Sequence, residues 1–159
     1  MLVFRSEDGR LAVEIGRSRA KQLRRACAKA GGRETGGVLV GFYADDGECA
    51  YVTEVGHPPP DSEAGPTWFN RGIRGLREWL EELWGAPRRT YYLGEWHYHP
   101  RASPEASGED RKQMLRISKD RKIRCPEPIL LIVGGDARSS WPSNAYVVRG
   151  GTFEQLRRC

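Results

Sequence analysis

Gly94-Glu95-Trp96-His97-Tyr98-His99-Pro100 carries two of the three histidines in this chain of 159 residues. Side chains of an extended strand alternate between its two faces, so a strand here would present His97 and His99 on the same face. A proline directly after the pair is typical of a strand end. The pattern therefore predicts a strand that delivers two imidazoles to its carboxyl end, where they either bind a metal or form a plain polar pair.

The segment after this strand supplies a third candidate ligand. Asp110, Met114 and Ile117 have the spacing i, i+4, i+7 and share one face of a predicted helix. If the two apolar residues face the core, Asp110 points inward too, and a buried carboxylate needs a counter-charge or a metal. Asp110 could instead be the third residue of a capping box that begins at Ser107, and the two roles are compatible. Two His and one Asp with room for water form a catalytic zinc site, which makes a metal-dependent hydrolase the first hypothesis.

Strand and helix patterns alternate along the rest of the chain. An apolar stripe predicts a helix over 17–30 that is ended by Gly31-Gly32, and three consecutive prolines, 58–60, predict a loop. Strands are predicted at 2–5, 11–15, 38–43, 49–55, 68–69, 90–97, 128–133 and 145–148, with further helices at about 73–84 and 107–120. This order predicts one α/β (α+β) domain over residues 1–159, with a central mixed sheet flanked by helices. Residues 57–72 are expected to form a flap-like insertion beside the site, called the flap segment below.

Composition narrows the class of protein. Hydrophobic residues make up 38% and charged residues 30%, which is typical of a globular domain, and no apolar run approaches the roughly 20 residues that cross a bilayer. We see no signal peptide, and the four scattered cysteines at 27, 49, 125 and 159 contain no CxxC, so reduced thiols and a cytoplasmic location are expected. The role of these cysteines stays open.

The net charge of +5 comes from basic residues spread along the chain. No nucleic-acid recognition signature accompanies them, so solvated helix faces are the preferred explanation. An acidic protein partner is the next alternative, and nucleic acid is an unlikely partner.

The spacing of these residues resembles the JAMM (JAB1/MPN/Mov34) metallopeptidase signature. His97-x-His99 is followed after seven residues by Ser107 and after two more by Asp110. The signature also needs an upstream glutamate before small residues and a buried strand, and Glu34-Thr35-Gly36-Gly37-Val38-Leu39-Val40-Gly41 fits. The resemblance covers about residues 34–148 and implies a cytidine-deaminase-like JAB/MPN fold.

The resemblance also implies a role for each matched residue. His97, His99 and Asp110 would bind one catalytic Zn²⁺, whose bound water has a pKa near 7. Glu34 would carry protons as general acid and base, and the Ser107 hydroxyl would stabilise the oxyanion. Substrate-tail contacts are expected from three further residues, namely Gly36, Gly37 and Trp68.

Two neighbours of the histidines need separate treatment. Glu95 shares their strand face, so it could orient an imidazole, compete for the role of base, or simply lie exposed to solvent. Tyr98 stands where the family more often has Ser or Thr, and strand alternation turns it away from the metal.

Within the family, the compact chain most resembles prokaryotic stand-alone JAMM peptidases of antiviral (CBASS-type) and related ubiquitin-like operons. The resemblance implies a bacterial isopeptidase whose substrate is a ubiquitin-like protein or a protein conjugated through its C-terminus, such as a cyclic-nucleotide synthase. The alternatives are a deubiquitinase-like enzyme of another bacterial pathway, a non-catalytic MPN scaffold, and a nucleic-acid-associated JAB-like protein. The sequence does not determine the substrate or the oligomeric state.

Overall fold

Ten strands and three helices account for most of the chain in the computed structural model, which describes all 159 residues. The strands are β1 Leu2–Arg5, β2 Ala12–Ile15, β3 Thr35–Tyr43, β4 Cys49–Val55, β5 Glu63–Ala64, β6 Phe69–Asn70, β7 Tyr91–Tyr98, β8 Ile129–Val133, β9 Ser143–Arg149 and β10 Thr152–Arg158. The helices are α1 Arg17–Ala30, α2 Leu76–Gly85 and α3 Gly108–Lys119.

Eight of the strands close into one ring in the order β1-β10-β9-β8-β7-β3-β4-β2. The β7–β8 and β2–β4 pairs are parallel and the other neighbours are antiparallel, so the predicted mixed sheet of an α+β fold is confirmed. The closure of the sheet into a ring was not predicted. It depends on β10, which pairs with both β9 and β1 and was not predicted from the sequence. The small β5–β6 hairpin stands apart from the ring and is called the flap hairpin below (residues 63–70).

Strand β8 separates two clusters of apolar side chains. All five of its residues are buried, as expected for a strand that is covered on both faces. Leu131 belongs to the larger core cluster together with Trp96 of β7, whereas Leu130 and Ile132 pack with Met114 of α3. Helix α3 therefore packs on the outside of the ring against β8 and β9, and its first turn lies close to the end of β7.

A bulge in β7 decides which residues face the site. Leu39 pairs with Gly94 and Val40 with Tyr92, so Leu93 has no partner in β3. The extra residue breaks the alternation of side chains and turns Tyr92 and Glu95, three residues apart, to the same face. Beyond the bulge the pairing is regular, and ordinary alternation places Glu95 and His97 on the face opposite to Trp96.

Several element bounds differ from the sequence prediction. Strand β3 begins at Thr35 instead of residue 38, because its first residues pair with β7 up to Tyr98. Helix α2 begins at Leu76 rather than Ile73, since Gly75 has a left-handed conformation and Asp61 accepts hydrogen bonds from two backbone amides just before it. None of the helices is long and apolar enough to span a membrane.

Candidate metal centre

The two histidines and Asp110 meet at the junction of β7 and α3. His97 lies in β7, His99 follows directly after it, and Asp110 is in the first turn of α3. The His97 Nδ1 atom lies 2.8 Å from Asp110 Oδ1, and His99 Nε2 lies 3.4 Å from Asp110 Oδ2. One ligand atom from each residue falls within 4.8 Å of the others. The geometry therefore brings together the three residues that the sequence nominated as ligands.

Asp110 holds its position through the cap of α3. Its Oδ2 accepts the backbone N–H of Ser107 at 2.8 Å, while the Ser107 hydroxyl oxygen accepts the N–H of Asp110 at 3.0 Å. These two hydrogen bonds form the capping box that the sequence offered as an alternative role for Asp110. The same carboxylate also contacts His97. Burial by itself raises the pKa of this carboxyl, but the contacts with His97 and Ser107 outweigh burial and lower it to about 2. Capping and ligation are thus compatible in one side chain.

The donor set fits a metal ion. His97 Nε2 is buried without any hydrogen-bond partner, an arrangement that costs free energy unless a ligand satisfies the atom. Burial lowers the pKa of His99, which favours the neutral ring that a metal requires. Two imidazoles and one carboxylate suit a borderline divalent cation and leave a coordination position open. These residues can hold a metal ion.

Glu34 approaches the same site from β3. It immediately precedes this strand and lines a cleft of about 660 Å³ together with His97, His99 and Asp110. Its backbone N–H donates to the carbonyl of Gly65 in the flap hairpin at 2.8 Å. Partial burial and the nearby charge of Asp110 raise the pKa of Glu34 to about 7, although His97 acts in the opposite direction. A carboxyl group with this pKa can both accept and release a proton near neutral pH.

Other residues of the flap segment and of α3 complete the cleft wall. Among the lining residues are Trp68, Phe69, Arg71, Ser107 and Gln113. A larger groove of about 990 Å³ runs beside basic residues of α1, but none of the metal-ligand candidates lines it. Because reactive groups converge only in the smaller cleft, we assign the chemistry there.

The structure corrects the expectations for Glu95. This residue is fully buried rather than exposed, and its carboxylate contacts Arg71 and Tyr92 instead of an imidazole. Arg71 was missed by sequence reasoning. An arginine within a proline- and glycine-rich loop has no spacing signal that would connect it to a strand residue 24 positions away.

Gly36 and Gly37 have a packing role in the structure. Both are buried in β3, opposite His97 and Trp96 of β7. A Cβ atom on Gly36 would lie 2.5 Å from the Trp96 carbonyl oxygen and 2.7 Å from the Phe69 ring. A Cβ on Gly37 would collide with the Gly56 carbonyl oxygen. Close approach of neighbouring backbone explains why both positions are glycine, and the expected contacts with a substrate tail stay a prediction.

Trp68 and Tyr98 lie on opposite sides of β7. Trp68 is 46% exposed in the turn of the flap hairpin and lines the cleft. Tyr98 is buried on the other face, where its hydroxyl donates to the Gly135 carbonyl at 3.1 Å. The unusual residue between the two histidines therefore leaves the ligand set unchanged.

A strand-borne histidine pair, a helix-borne aspartate and a nearby glutamate together define the site of a metal-dependent hydrolase. The family model for prokaryotic homologs of the JAB domain matches residues 17–145, and the chain belongs to this family. It is a hydrolytic JAMM enzyme, and the family, the fold and the enzyme class predicted from the sequence are confirmed.

Similar proteins come from several bacteria. A protein of Enterobacter hormaechei subsp. hoffmannii named CD-NTase/cGAS isopeptidase is 42% identical over 98% of this chain and 86% of its own length. A protein of the same name from Pseudomonas aeruginosa is 28% identical over 86% of each chain. The probable metalloprotease y4qB of Sinorhizobium fredii is 29% identical over 72% of this chain and 70% of its own. The solution structure of protein DSY2949 from Desulfitobacterium hafniense shares the fold, with a TM-score of 0.65, 19% identity and coverage of 91% of this chain and 90% of that one.

Proposed function

We propose that this chain is a zinc-dependent isopeptidase that releases the C-terminus of a conjugated CD-NTase from its target protein. The observation that carries the proposal is the convergence of Glu34 with His97, His99 and Asp110 in one cleft. The substrate class is supported by the name of the 42% identical relative, CD-NTase/cGAS isopeptidase, with which this chain aligns over almost its whole length.

In this proposal His97, His99 and Asp110 hold one zinc ion. The unpartnered Nε2 atom of His97 and the neutral ring favoured at His99 support ligation. Zinc, when bound, supplies Lewis acidity and lowers the pKa of a water ligand to about 7.

Glu34 is the proposed proton carrier. Its carboxylate takes a proton from the attacking water and delivers a proton to the departing amine nitrogen, and the raised pKa of Glu34 in the metal-free site supports this role. The Ser107 hydroxyl oxygen accepts the N–H of Asp110, which leaves its own proton free to stabilise the developing oxyanion.

The substrate tail is proposed to lie along the flap hairpin. The main sheet is a closed ring and so offers no free edge, whereas β5 and β6 form a separate two-stranded sheet. An extended tail could add to one edge of that hairpin, with Trp68 as an apolar contact beside the cleft. Because the four cysteines are free thiols, the bacterial cytoplasm is the proposed location.

The test uses a CD-NTase joined through its C-terminal carboxyl to a lysine of a model protein. We expect cleavage that chelator abolishes and zinc restores, and that Glu34→Gln reduces by 10² to 10⁴-fold while the variant retains its metal. His97→Ala should lose both metal and activity. The exposed Glu82→Gln is the matched control and should behave like the wild type.

Two other outcomes would replace the proposal. Cleavage of a ubiquitin-like fusion but not of the CD-NTase conjugate would point to another bacterial ubiquitin-like pathway. A folded, zinc-loaded protein that cleaves neither substrate would be a binding scaffold.

A further inference from the structure

Glu95, which lies two residues before His97, forms a buried ion pair with Arg71. The Arg71 Nε atom donates to Glu95 Oε2 at 2.8 Å and Nη2 donates to Oε1 at 2.9 Å, so the contact has two prongs. The Glu95 side chain is fully buried and that of Arg71 is 14% exposed. The Tyr92 hydroxyl donates a further hydrogen bond to Glu95 Oε1 at 2.9 Å. The two parallel hydrogen bonds and the Tyr92 hydroxyl compensate both charges for the loss of water and fix the orientation of the pair, which a single contact at the surface would not do.

Arg71 connects this buried anchor to the flap hairpin. It follows β6 directly, and its Nη1 atom donates to the Gly72 carbonyl at 2.8 Å. The guanidinium thereby fixes the backbone where the hairpin rejoins the chain. On the other side of the hairpin, the Ser62 hydroxyl accepts the Gly72 N–H at 2.8 Å.

The anchored hairpin contacts two residues of the metal centre. The Phe69 ring meets the His97 ring edge-on, with 5.9 Å between their centroids. The Gly65 carbonyl accepts the backbone N–H of Glu34 at 2.8 Å. The Trp68 ring packs over Gly65, in the space that a Cβ would otherwise take. The position of Glu34 therefore depends on the flap hairpin, and the hairpin depends on Arg71.

We propose that the Arg71–Glu95 pair is a positioning device that keeps the flap hairpin docked on Glu34 and His97 before substrate arrives. This inference rests on the proposed function for its kinetic consequence, but the docking itself does not. Arg71 and Glu95 touch no reacting atom. They position Glu34 and His97 through the contacts that Gly65 and Phe69 make with these two residues. The free enzyme then already holds its general base in place.

The test combines Arg71→Met with Glu95→Gln, so that no buried charge is left without a partner. Its first readout is amide hydrogen exchange of Glu34 in the metal-free protein, because this N–H donates to the hairpin alone. We expect the amide to exchange at least tenfold faster in the double variant, while circular dichroism shows an unchanged fold. The matched control is Arg77→Met, which removes the exposed Arg77–Glu81 pair and should leave the exchange unchanged.

The second readout is steady-state cleavage by the zinc-loaded enzyme. A displaced general base should lower kcat by 10- to 100-fold. Any rise in KM that comes from the same hairpin, along which the substrate tail is proposed to lie, should accompany this fall in kcat and not replace it. Arg71→Lys should recover part of kcat, because lysine restores the charge but not the two-pronged contact.

The outcomes separate this inference from the proposed function. Unchanged Glu34 exchange in the double variant would overturn the anchor, as would a rise in KM alone, which would mark Arg71 as a direct substrate contact. If the wild type shows no isopeptidase activity but exchange still accelerates in the double variant, the anchor stands and the proposed substrate chemistry fails.

Discussion

Glu34→Gln should make the metal-free protein more stable, although it lowers the activity of the zinc-loaded enzyme by 10² to 10⁴-fold. The folded state raises the pKa of Glu34 from 4.5 to about 7, mainly because the carboxyl is partly buried and faces Asp110. At about 1.4 kcal/mol for each tenfold change in proton affinity, the full difference corresponds to about 3 kcal/mol. Glu34 is only half-buried, and solvent screening reduces the expected gain to about 1–2 kcal/mol.

The gain should depend on pH in a defined direction. Below pH 4.5 the carboxyl is protonated in both the folded and the unfolded state, so Glu and Gln should be equally stable. As the pH rises through the raised pKa, the wild type loses stability because the ionised carboxylate is disfavoured in the folded state. The advantage of Glu34→Gln should therefore appear between pH 4.5 and 7 and be complete above that window.

Denaturant unfolding at pH 4, 6 and 8 in the presence of chelator measures this difference. Subtracting the wild type from the variant at each pH cancels the titration of groups that do not interact with Glu34. Glu82→Gln on the exposed side of α2 should change stability by less than about 0.5 kcal/mol at every pH. A pH-independent gain, or a loss of stability at pH 8, would refute the claim that the site holds Glu34 at an electrostatic cost.

Four further expectations follow from the same geometry. For the zinc-loaded enzyme, kcat/KM should rise with pH along an acid limb between 4.5 and 7, since a bound cation lowers the pKa of Glu34 again; a flat profile would contradict its role as base. Elemental analysis should find about one zinc per wild-type chain and almost none in His97→Ala, and retention by the variant would remove His97 from the ligands. Gly36→Ala should lower Tm by about 3–10 °C, because its Cβ would lie 2.5 Å from the Trp96 carbonyl oxygen, and an unchanged Tm would mean that the strands yield. Trp68→Ala should raise KM without changing Tm measurably, and an unchanged KM would exclude a substrate contact.

Local patterns in the sequence were sufficient for much of the fold and for the core of the site. Helix α1 has the predicted bounds, Arg17–Ala30, because its apolar stripe and terminating glycines are signals carried by neighbouring residues. Local patterns also predicted that Asp110 and the two histidines meet. Strand alternation puts His97 and His99 on one face of β7, and helix periodicity turns Asp110 toward the core. Sequence reasoning succeeds for segments whose apolar residues follow a single helical or strand periodicity.

Strand β10 shows where that reasoning fails. Only Leu156 of this strand is buried, so no apolar alternation indicates it. Its pairing with β1 at the other end of the chain is what makes it a strand. One local signal was present: Gly150-Gly151, both with positive φ, connects β9 to β10 as the short turn of a hairpin.

The partners of Glu95 were not predicted, for a different reason. Strand alternation placed it correctly on the face of His97, but its partners lie outside that rule. Tyr92 reaches the same face only because of the bulge at Leu93, and Arg71 comes from a loop whose path no periodicity defines. Buried ion pairs between a strand and an irregular loop are therefore the part of such a site that a single sequence conceals.

The metal centre and the fold depend on the same contacts. Asp110 lies in the first turn of α3, where its carboxylate accepts the backbone N–H of the N-cap Ser107 and also contacts His97. The helix therefore cannot shift along its axis without moving a ligand. Glu34 immediately precedes β3 and is held by the flap hairpin, which the buried Arg71 anchors to β7. Each functional group is thus fixed at the start or end of a regular element, where the backbone still has unpaired groups to offer. This arrangement orients the ligands and the base before a metal or a substrate binds, and the shifted pKa values of Glu34, His99 and Asp110 fall at these positions.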